Sequence, residues 1–527
     1  MKNSLLNYLT QKRQTAILFF LLVLGFSVRM ILISVIPAGL NQDEASIGYD
    51  AFSILTTGCD RNGNSYPIHL VSWGNGQNAL YAYLSMPFIY IFGLNTFSVR
   101  IVNALFSSLS LIVFYSLFKL ILDQKKALVA LAILTICPWS IMSARWGLES
   151  NIFPTIFLIG VYFLFKGIII SQKYFPTSFL IFAISLYSYG TSYLIVPLFF
   201  SLIIPFLFIT KRITFKNSVL SLSIFSAVAL PLILFIIINH LSYSQFQIFG
   251  LTVPKLLSNR TTQIFNIITP NFFSVIIKNI VRFLNILVLQ SDGNDYNAIP
   301  SVGTIYAISL PFFIIGLLNV LKKSPFLKEP QNYIFVSWLV CSFALGFSSQ
   351  VNINRLNIMF PPLLYFVILG FYDVSGMLKI EYKRYYKSFL VIVYSLLFFL
   401  FTGYYFIFFN DKIKNDFSYG LGDAIKYAEK IDPKGTINIT KNTINMPYIY
   451  VCFYNQIDPE IFRKTVVYGD NNNGFITVNS FGHYTFGNSK TTTFNVRILS
   501  KEEMVYYNLD LLKYKNFGNY FVVQNKN

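Results

Sequence analysis

The stretch Thr15-Ala-Ile-Leu-Phe-Phe-Leu-Leu-Val-Leu-Gly-Phe-Ser-Val-Arg-Met-Ile-Leu-Ile-Ser-Val-Ile36, continued by Pro-Ala-Gly-Leu-Asn-Gln-Asp43-Glu44, decides the fold class. An apolar run of this length matches the ~20 residues a helix needs to cross a bilayer. Lys2, Lys12 and Arg13 precede it. It is too long for a signal-peptide core and lacks a small-x-small cleavage pattern, so it reads as a retained first helix. Arg29 stands inside it. Charge at membrane depth is expensive, so Arg29 is expected to face protein or a polar cavity and not lipid.

The composition of the 527 residues agrees: 54% are hydrophobic, 18% aromatic and only 12% charged, with a mean hydropathy of +0.56. Soluble domains carry about 25% charged residues. Disorder, a nucleic-acid binder and a cytosolic enzyme are thereby excluded. The net charge of +19 follows from lysines at the ends of membrane helices and needs no acidic ligand. Cys59, Cys137, Cys341 and Cys452 show no metal or disulfide spacing, and His69, His240 and His483 are scattered.

Further apolar segments run near 98–121, 127–142, 152–170, 174–192, 194–209, 218–239, 303–321, 333–348, 356–377 and 388–409. The expectation is an α-helical polytopic membrane protein of about eleven transmembrane helices. Lys119, Lys125, Lys126, Lys211, Arg212, Lys322, Lys379, Lys383, Arg384 and Lys387 gather on the side of Lys12 and Arg13, so the N-terminus is expected in the cytoplasm. The opposite loops, 37–97 and 240–302, hold few bases. They contain apolar stretches too short to span, such as Ala79 to Phe92, which read as interfacial helices. After Asn410 the composition turns polar. Runs at Thr436 to Thr440, Tyr448 to Tyr454 and Phe475 to Val478 predict strands of a small extracytoplasmic C-terminal α/β domain, 410–527, following a transmembrane domain of 1–409.

Three constellations carry chemistry. Asp43 and Glu44 follow the first span directly, in a loop that also holds Asp50, Asp60 and the base Arg61. A carboxylate at a low-dielectric boundary suits proton acceptance from a hydroxyl, although an acidic pair opening a helix explains the same residues. Ser143-Ala-Arg145-Trp-Gly-Leu-Glu149-Ser-Asn151 connects the third and fourth spans on the same face. Arg145 and Glu149, four apart, read equally as a helix ion pair. Asn354-Arg355 precedes Pro361-Pro362. Arg355 either snorkels to lipid headgroups or receives a phosphate. No nucleotide-binding glycine loop, Ser-His-Asp set or Cys-x-x-Cys motif occurs, which suits an enzyme whose activated substrate arrives in the membrane.

These residues resemble the GT-C superfamily of lipid-linked-sugar-dependent glycosyltransferases, specifically glycosyltransferase family 39. That family includes the protein O-mannosyltransferases and is similar to the aminoarabinose transferases. The resemblance rests on Arg29, Ile36-Pro-Ala-Gly-Leu40, Asp43-Glu44, Gly58-Cys-Asp-Arg-Asn-Gly-Asn64, Leu80-Tyr-Ala-Tyr83, Phe92-Gly-Leu-Asn-Thr-Phe-Ser-Val-Arg100, Ser143 to Glu149, and Asn354-Arg355. It implies inverting transfer of a sugar from a polyprenyl phosphate to a hydroxyl acceptor on the outer face of the cytoplasmic membrane. It further implies Asp43 as base, Glu44 and Glu149 as supporting acids, and Arg355, with Arg145 and Arg100 as second choices, as donor-phosphate ligands. No metal and no cofactor are implied, and the acceptor is a cell-envelope glycan, lipid or protein. The MIR-type repeat of eukaryotic protein mannosyltransferases is missing from the sequence. A transporter or flippase of lipid-linked glycans, or an envelope polymerase or ligase, is the alternative, and the gathering of acids and bases on one face favours catalysis over transport.

Overall fold

A computed structural model describes residues 2–257, 272–322, 329–348, 351–472, 475–487, 494–507 and 512–525. Arg260 and part of the loop 240–302 lie outside the described residues. The chain divides into two compact units. The first comprises Met1–Ile31, Asn103–Leu230 and Gln263–Tyr405; the second comprises Leu32–Val102, Pro231–Thr262 and Phe406–Asn527.

The first unit is helical. Each apolar run read from the sequence contains a helix. Among the described residues seven helices are long and apolar enough to cross a membrane: Gln11–Met30, Thr96–Ile121, Glu149–Ile169, Ser192–Ile209, Phe215–His240, Asn357–Met377 and Ile380–Ile407. An eighth span forms if the bent pair Gln124–Ile136 and Pro138–Ala144 is counted as one. The run 127–142 therefore breaks in the middle, with a bend of 56°. The cause is local: Cys137 precedes a proline, which disfavours the helical backbone, and adopts an extended conformation (φ −65°, ψ 121°). The run 174–192 shortens to Phe175–Ser185, and 303–321 to Ser309–Lys322. The helix Phe272–Leu289 places Lys278, Arg282 and Asn285 at i, i+4 and i+7, the pattern of an amphipathic interfacial helix.

Within this unit Ser309–Lys322 packs closely along Phe360–Met377. Small residues permit it. A Cβ at Gly316 would collide with the Phe366 carbonyl, and one at Gly370 with the Phe312 carbonyl. Small residues at such crossings are a main means of helix association in lipid.

The second unit combines α2 (Gln42–Thr57) and α3 (Leu80–Phe92), the first helix being α1 (Lys2–Met30), with two short antiparallel pairs, β1 (His69–Leu70) with β2 (Gln77–Asn78) and β3 (Phe246–Ile248) with β4 (Leu251–Val253), and a seven-stranded sheet. Its strands are β5 (Ile437–Ile439), β6 (Val467–Asn472), β7 (Phe475–Phe481), β8 (Tyr484–Phe486), β9 (Val496–Ser500), β10 (Leu512–Phe517) and β11 (Tyr520–Asn525), in the order β10-β11-β9-β5-β8-β7-β6. Central β5 runs parallel to both neighbours, and the remaining pairs are antiparallel. The expected strands at Thr436 to Thr440 and Phe475 to Val478 are present as β5 and β7. Tyr448 to Tyr454 is instead helical, Pro447–Tyr454, and packs against α2. Pro447 at the first helical position presets the backbone, and burial of Ile449, Val451 and Phe453 outweighs the β propensity of the run. All four cysteines are free thiols.

Replacing Gly316 by Val is expected to destabilise the first unit by about 1–3 kcal/mol through overpacking. Thermal unfolding of the detergent-solubilised protein would show it as a lowered midpoint, and Gly376→Val, at a position with open space, as an unchanged one.

Candidate active site

In the second unit the chain leaves Leu40 and enters α2 through a capping box. The Asn41 side chain accepts from the Asp43 N–H at 3.0 Å, and Glu44 Oε2 accepts from the Asn41 N–H at 3.0 Å. Glu44 is fully buried, and the Arg100 guanidinium compensates its charge: Nε donates to Oε1 at 2.7 Å and Nη2 to Oε2 at 3.0 Å. The rest of Arg100 holds the loop before α2, donating to the carbonyls of Ile33 (3.2 Å), Pro37 (2.7 Å) and Gly39 (2.9 Å). All five guanidinium N–H groups are thus occupied. Arg100 has none left for a donor phosphate, which corrects its sequence assignment. It positions the acidic pair.

Asp43 differs from its neighbour. It is half-buried on the first turn of α2, and its charge acts on the buried Tyr450 phenol, whose pKa lies well above the usual range chiefly through burial. Two turns further along the same face stands Asp50, fully buried and salt-bridged to Arg61 at 3.4 Å. Arg61 also donates to Ser46 Oγ (2.8 Å) and Ser72 Oγ (3.2 Å), and its guanidinium lies 4.6 Å from the centre of the Trp73 ring. Asp60 folds the loop it belongs to, accepting from the N–H groups of Asn62 and Asn64, both at 2.9 Å. Two buried carboxylates therefore share one buried arginine. Burial pushes the Asp50 carboxyl up to about 6, with Arg61 opposing and Asp60 adding to the shift, and burial raises Asp60 as well.

In the first unit Arg29 bears out the expectation that it avoids lipid. Its five N–H groups reach Ser107 Oγ (2.9 Å), Ser140 Oγ (2.7 Å) and the carbonyls of Gly25 (2.9 Å), Leu134 (3.1 Å) and Thr135 (3.3 Å). A cavity of about 20 Å³, room for one water, is lined by Ser107 and Ser140 of this network together with Asn151 and apolar side chains such as Phe114 and Leu158. Arg145 is fully buried, and Nη1 donates to the carbonyls of Val28 (3.1 Å) and Arg29 (3.2 Å), closing the end of the first helix. Those bonds let Nη1 of Arg145 support the end of the first helix.

Glu149 opens the helix Glu149–Ile169 and Arg355 sits in the turn before Asn357–Met359; both are half-buried. The structure ties these two segments together. Asn357 Nδ2 donates to Asn151 Oδ1 at 2.7 Å, and Trp139 Nε1 donates to Asn357 Oδ1 at 2.7 Å. Asp292 holds the Arg355 turn from the other side, accepting from the Ile353 N–H at 2.9 Å and from Asn297 at 2.7 Å. Asn103 donates to the carbonyls of Trp146 and Leu148 (2.9 Å), fixing the approach to Glu149. Asp292 escapes sequence reasoning because a lone Asp in a polar loop reads as a turn residue, and Asn103 and Asn357 because a single Asn inside an apolar run shows no motif spacing. Among the described residues no group of three or more His, Cys, Asp or Glu is arranged to hold a metal ion.

A polytopic helical membrane protein with acids and arginines at its helix entries defines the class. Residues 78–239 match the family model described as dolichyl-phosphate-mannose-protein mannosyltransferase. Comparison with curated proteins gives no match. Among solved structures the chain is similar to ArnT from Cupriavidus metallidurans bound to undecaprenyl phosphate, at 11% identity and a TM-score of 0.55 over 96% of this chain and 98% of that one. The apo state of the same protein gives 11%, 0.54, 97% and 98%. The Archaeoglobus fulgidus oligosaccharyltransferase tethered with an acceptor peptide is 13% identical, with a TM-score of 0.51 over 85% of this chain and 64% of that one. At these identities the structural likeness is one of fold. Together with the family match over residues 78–239, this likeness indicates a glycosyltransferase of that fold.

Because the Asp50 carboxyl is raised in the folded state, it adds stability that is complete below pH ~4 and is lost as the pH rises through about 6. Asp50→Asn is expected to flatten the thermal midpoint over that window, measured by unfolding between pH 4 and 7. Glu44→Gln, which leaves Arg100 buried without its counter-charge, is expected to cost about 3–5 kcal/mol in the same measurement.

Proposed function

We propose that this protein transfers a sugar from a polyprenyl phosphate to a hydroxyl acceptor, with inversion, at the outer face of the cytoplasmic membrane. The observation that carries the reading is the divergence of two adjacent carboxylates. Glu44 is buried and locked by Arg100, while Asp43 is half-buried on the first turn of α2. Unlike environments give neighbouring acids unlike tasks. Asp43 accepts the proton of the acceptor hydroxyl as its oxygen attacks the anomeric carbon; the bond from that carbon to the phosphate oxygen breaks, and polyprenyl phosphate departs. A phosphate leaves well without a dedicated acid, so a cation suffices, and Arg355 supplies it. Glu149 orients the acceptor.

The undecaprenyl phosphate carried by the solved ArnT supports a lipid-phosphate donor here. Lysines concentrated at one set of helix ends support a cytoplasmic N-terminus and an extracytoplasmic location for residues 410–527. Cell-envelope glycan, lipid and protein are the acceptor classes to be sorted by experiment.

The test is transfer of radiolabelled sugar from a panel of polyprenyl-phosphate sugars into native membrane fractions. Asp43→Asn is expected to reduce kcat by about 10²–10⁴-fold at equal expression; near wild-type turnover would remove Asp43 as base. Arg355→Ala is expected to impair donor use more than acceptor use. Equal effects on the two substrates would remove it from the phosphate role.

A further inference from the structure

A large groove in the first unit plays no part in the chemistry above. Its volume is about 880 Å³, within the ~300–1,000 Å³ of ligand cavities. Val129 and Ile133 of the helix Gln124–Ile136, Leu24 of the first helix and Phe398 of Ile380–Ile407 form its apolar walls. Lys125 and Lys387 line it at one end.

That end is defined by the helices. Lys125 opens Gln124–Ile136, Lys387 lies early in Ile380–Ile407, and Phe371 to Ser375 close Phe360–Met377. From Lys125 to Ile136 the groove runs eleven helical steps, about 16 Å. This is about half of the ~30 Å hydrocarbon core. The groove therefore spans one leaflet, where a membrane-crossing helix would need both. Arg355 precedes the other end of the helix that Phe371 to Ser375 close, and the fifteen steps from Phe360 to Ser375 run about 22 Å along its axis. The donor's phosphate and the head end of the groove are thus on opposite sides.

The charge of the groove mouth is net positive. Asp123, the acid lining it, is committed to Lys126 at 3.2 Å and caps the helix through the Lys126 N–H. Neither Lys125 nor Lys387 pairs with an acid among the described residues. Two ammonium groups at the water boundary of an apolar slot one leaflet deep match a lipid with an anionic headgroup.

We propose that this groove is a binding site for an anionic phospholipid of the lysine-rich leaflet, its acyl chains lying along Val129, Ile133 and Phe398 and its phosphate between Lys125 and Lys387. The proposal rests on the functional reading only in taking that leaflet to be the cytoplasmic one.

Native mass spectrometry of the full-length detergent-solubilised protein tests it, with phosphatidylglycerol and phosphatidylcholine of identical chains as probes. Phosphatidylglycerol is expected to be retained preferentially, by about fivefold for each lysine near the headgroup. Lys125→Gln/Lys387→Gln should abolish the preference, and Ala132→Trp, which fills the slot, should lower retention of both lipids. Equal retention of the two lipids by the wild type, an unchanged preference in the double variant, a protein dimer in place of bound lipid, or displacement of phosphatidylglycerol by a polyprenyl phosphate would each overturn it. Mass is read without sugar transfer, so loss of the glycosyltransferase reading leaves this result standing.

Discussion

An arginine taken out of water must find an acceptor for each of five N–H groups, and meeting that demand organises this protein. Arg29 and Arg100 are both fully buried, and both have all five donors occupied. Six of the ten acceptors are backbone carbonyls, five of them at a helix end or in an irregular loop. The break at Cys137-Pro138 frees the carbonyls of Leu134 and Thr135, and Arg29 takes them. The first helix ends at Met30, and Arg145 takes the carbonyls of Val28 and Arg29. Irregular backbone in the low-dielectric part of the molecule is thus stabilised by buried guanidinium groups.

The acids follow from the same constraint. Burying Glu44 is tolerable because Arg100 meets both of its oxygens, and the pair then holds Ile33 to Gly39 in place before α2. Asp43 occupies the adjacent position of the same fixed helix start, where its N–H is held by the Asn41 side chain. A fixed position of this kind suits the base proposed above. On the other unit Asn151, Asn357 and Asp292 do the equivalent for Glu149 and Arg355 with neutral or singly charged groups.

Much of this was legible in the sequence. The 22-residue run up to Ile36, the placement of Arg29 away from lipid, the acidic pair after the first helix and the polar C-terminal region all follow from hydropathy and the cost of buried charge. The 56° bend at Cys137-Pro138 was not, because hydropathy averages over a window and passes across it. Tyr448 to Tyr454 misled for a related reason: its aromatic and β-branched residues favour a strand, yet a face buried against α2 selects the helix.

Three arginines, Arg100, Arg145 and Arg355, are indistinguishable as sequence candidates for a phosphate, since each stands near a helix entry on the same face. The sequence by itself determined that the protein lives in a bilayer, where its acids and bases gather, and which residue types could perform sugar transfer. Only the tertiary structure decided which of those charges are committed. A guanidinium's donors are claimed by carbonyls that are distant in sequence, from Ile33 to Arg100 or from Val28 to Arg145, and no local pattern records a hydrogen bond formed across a fold.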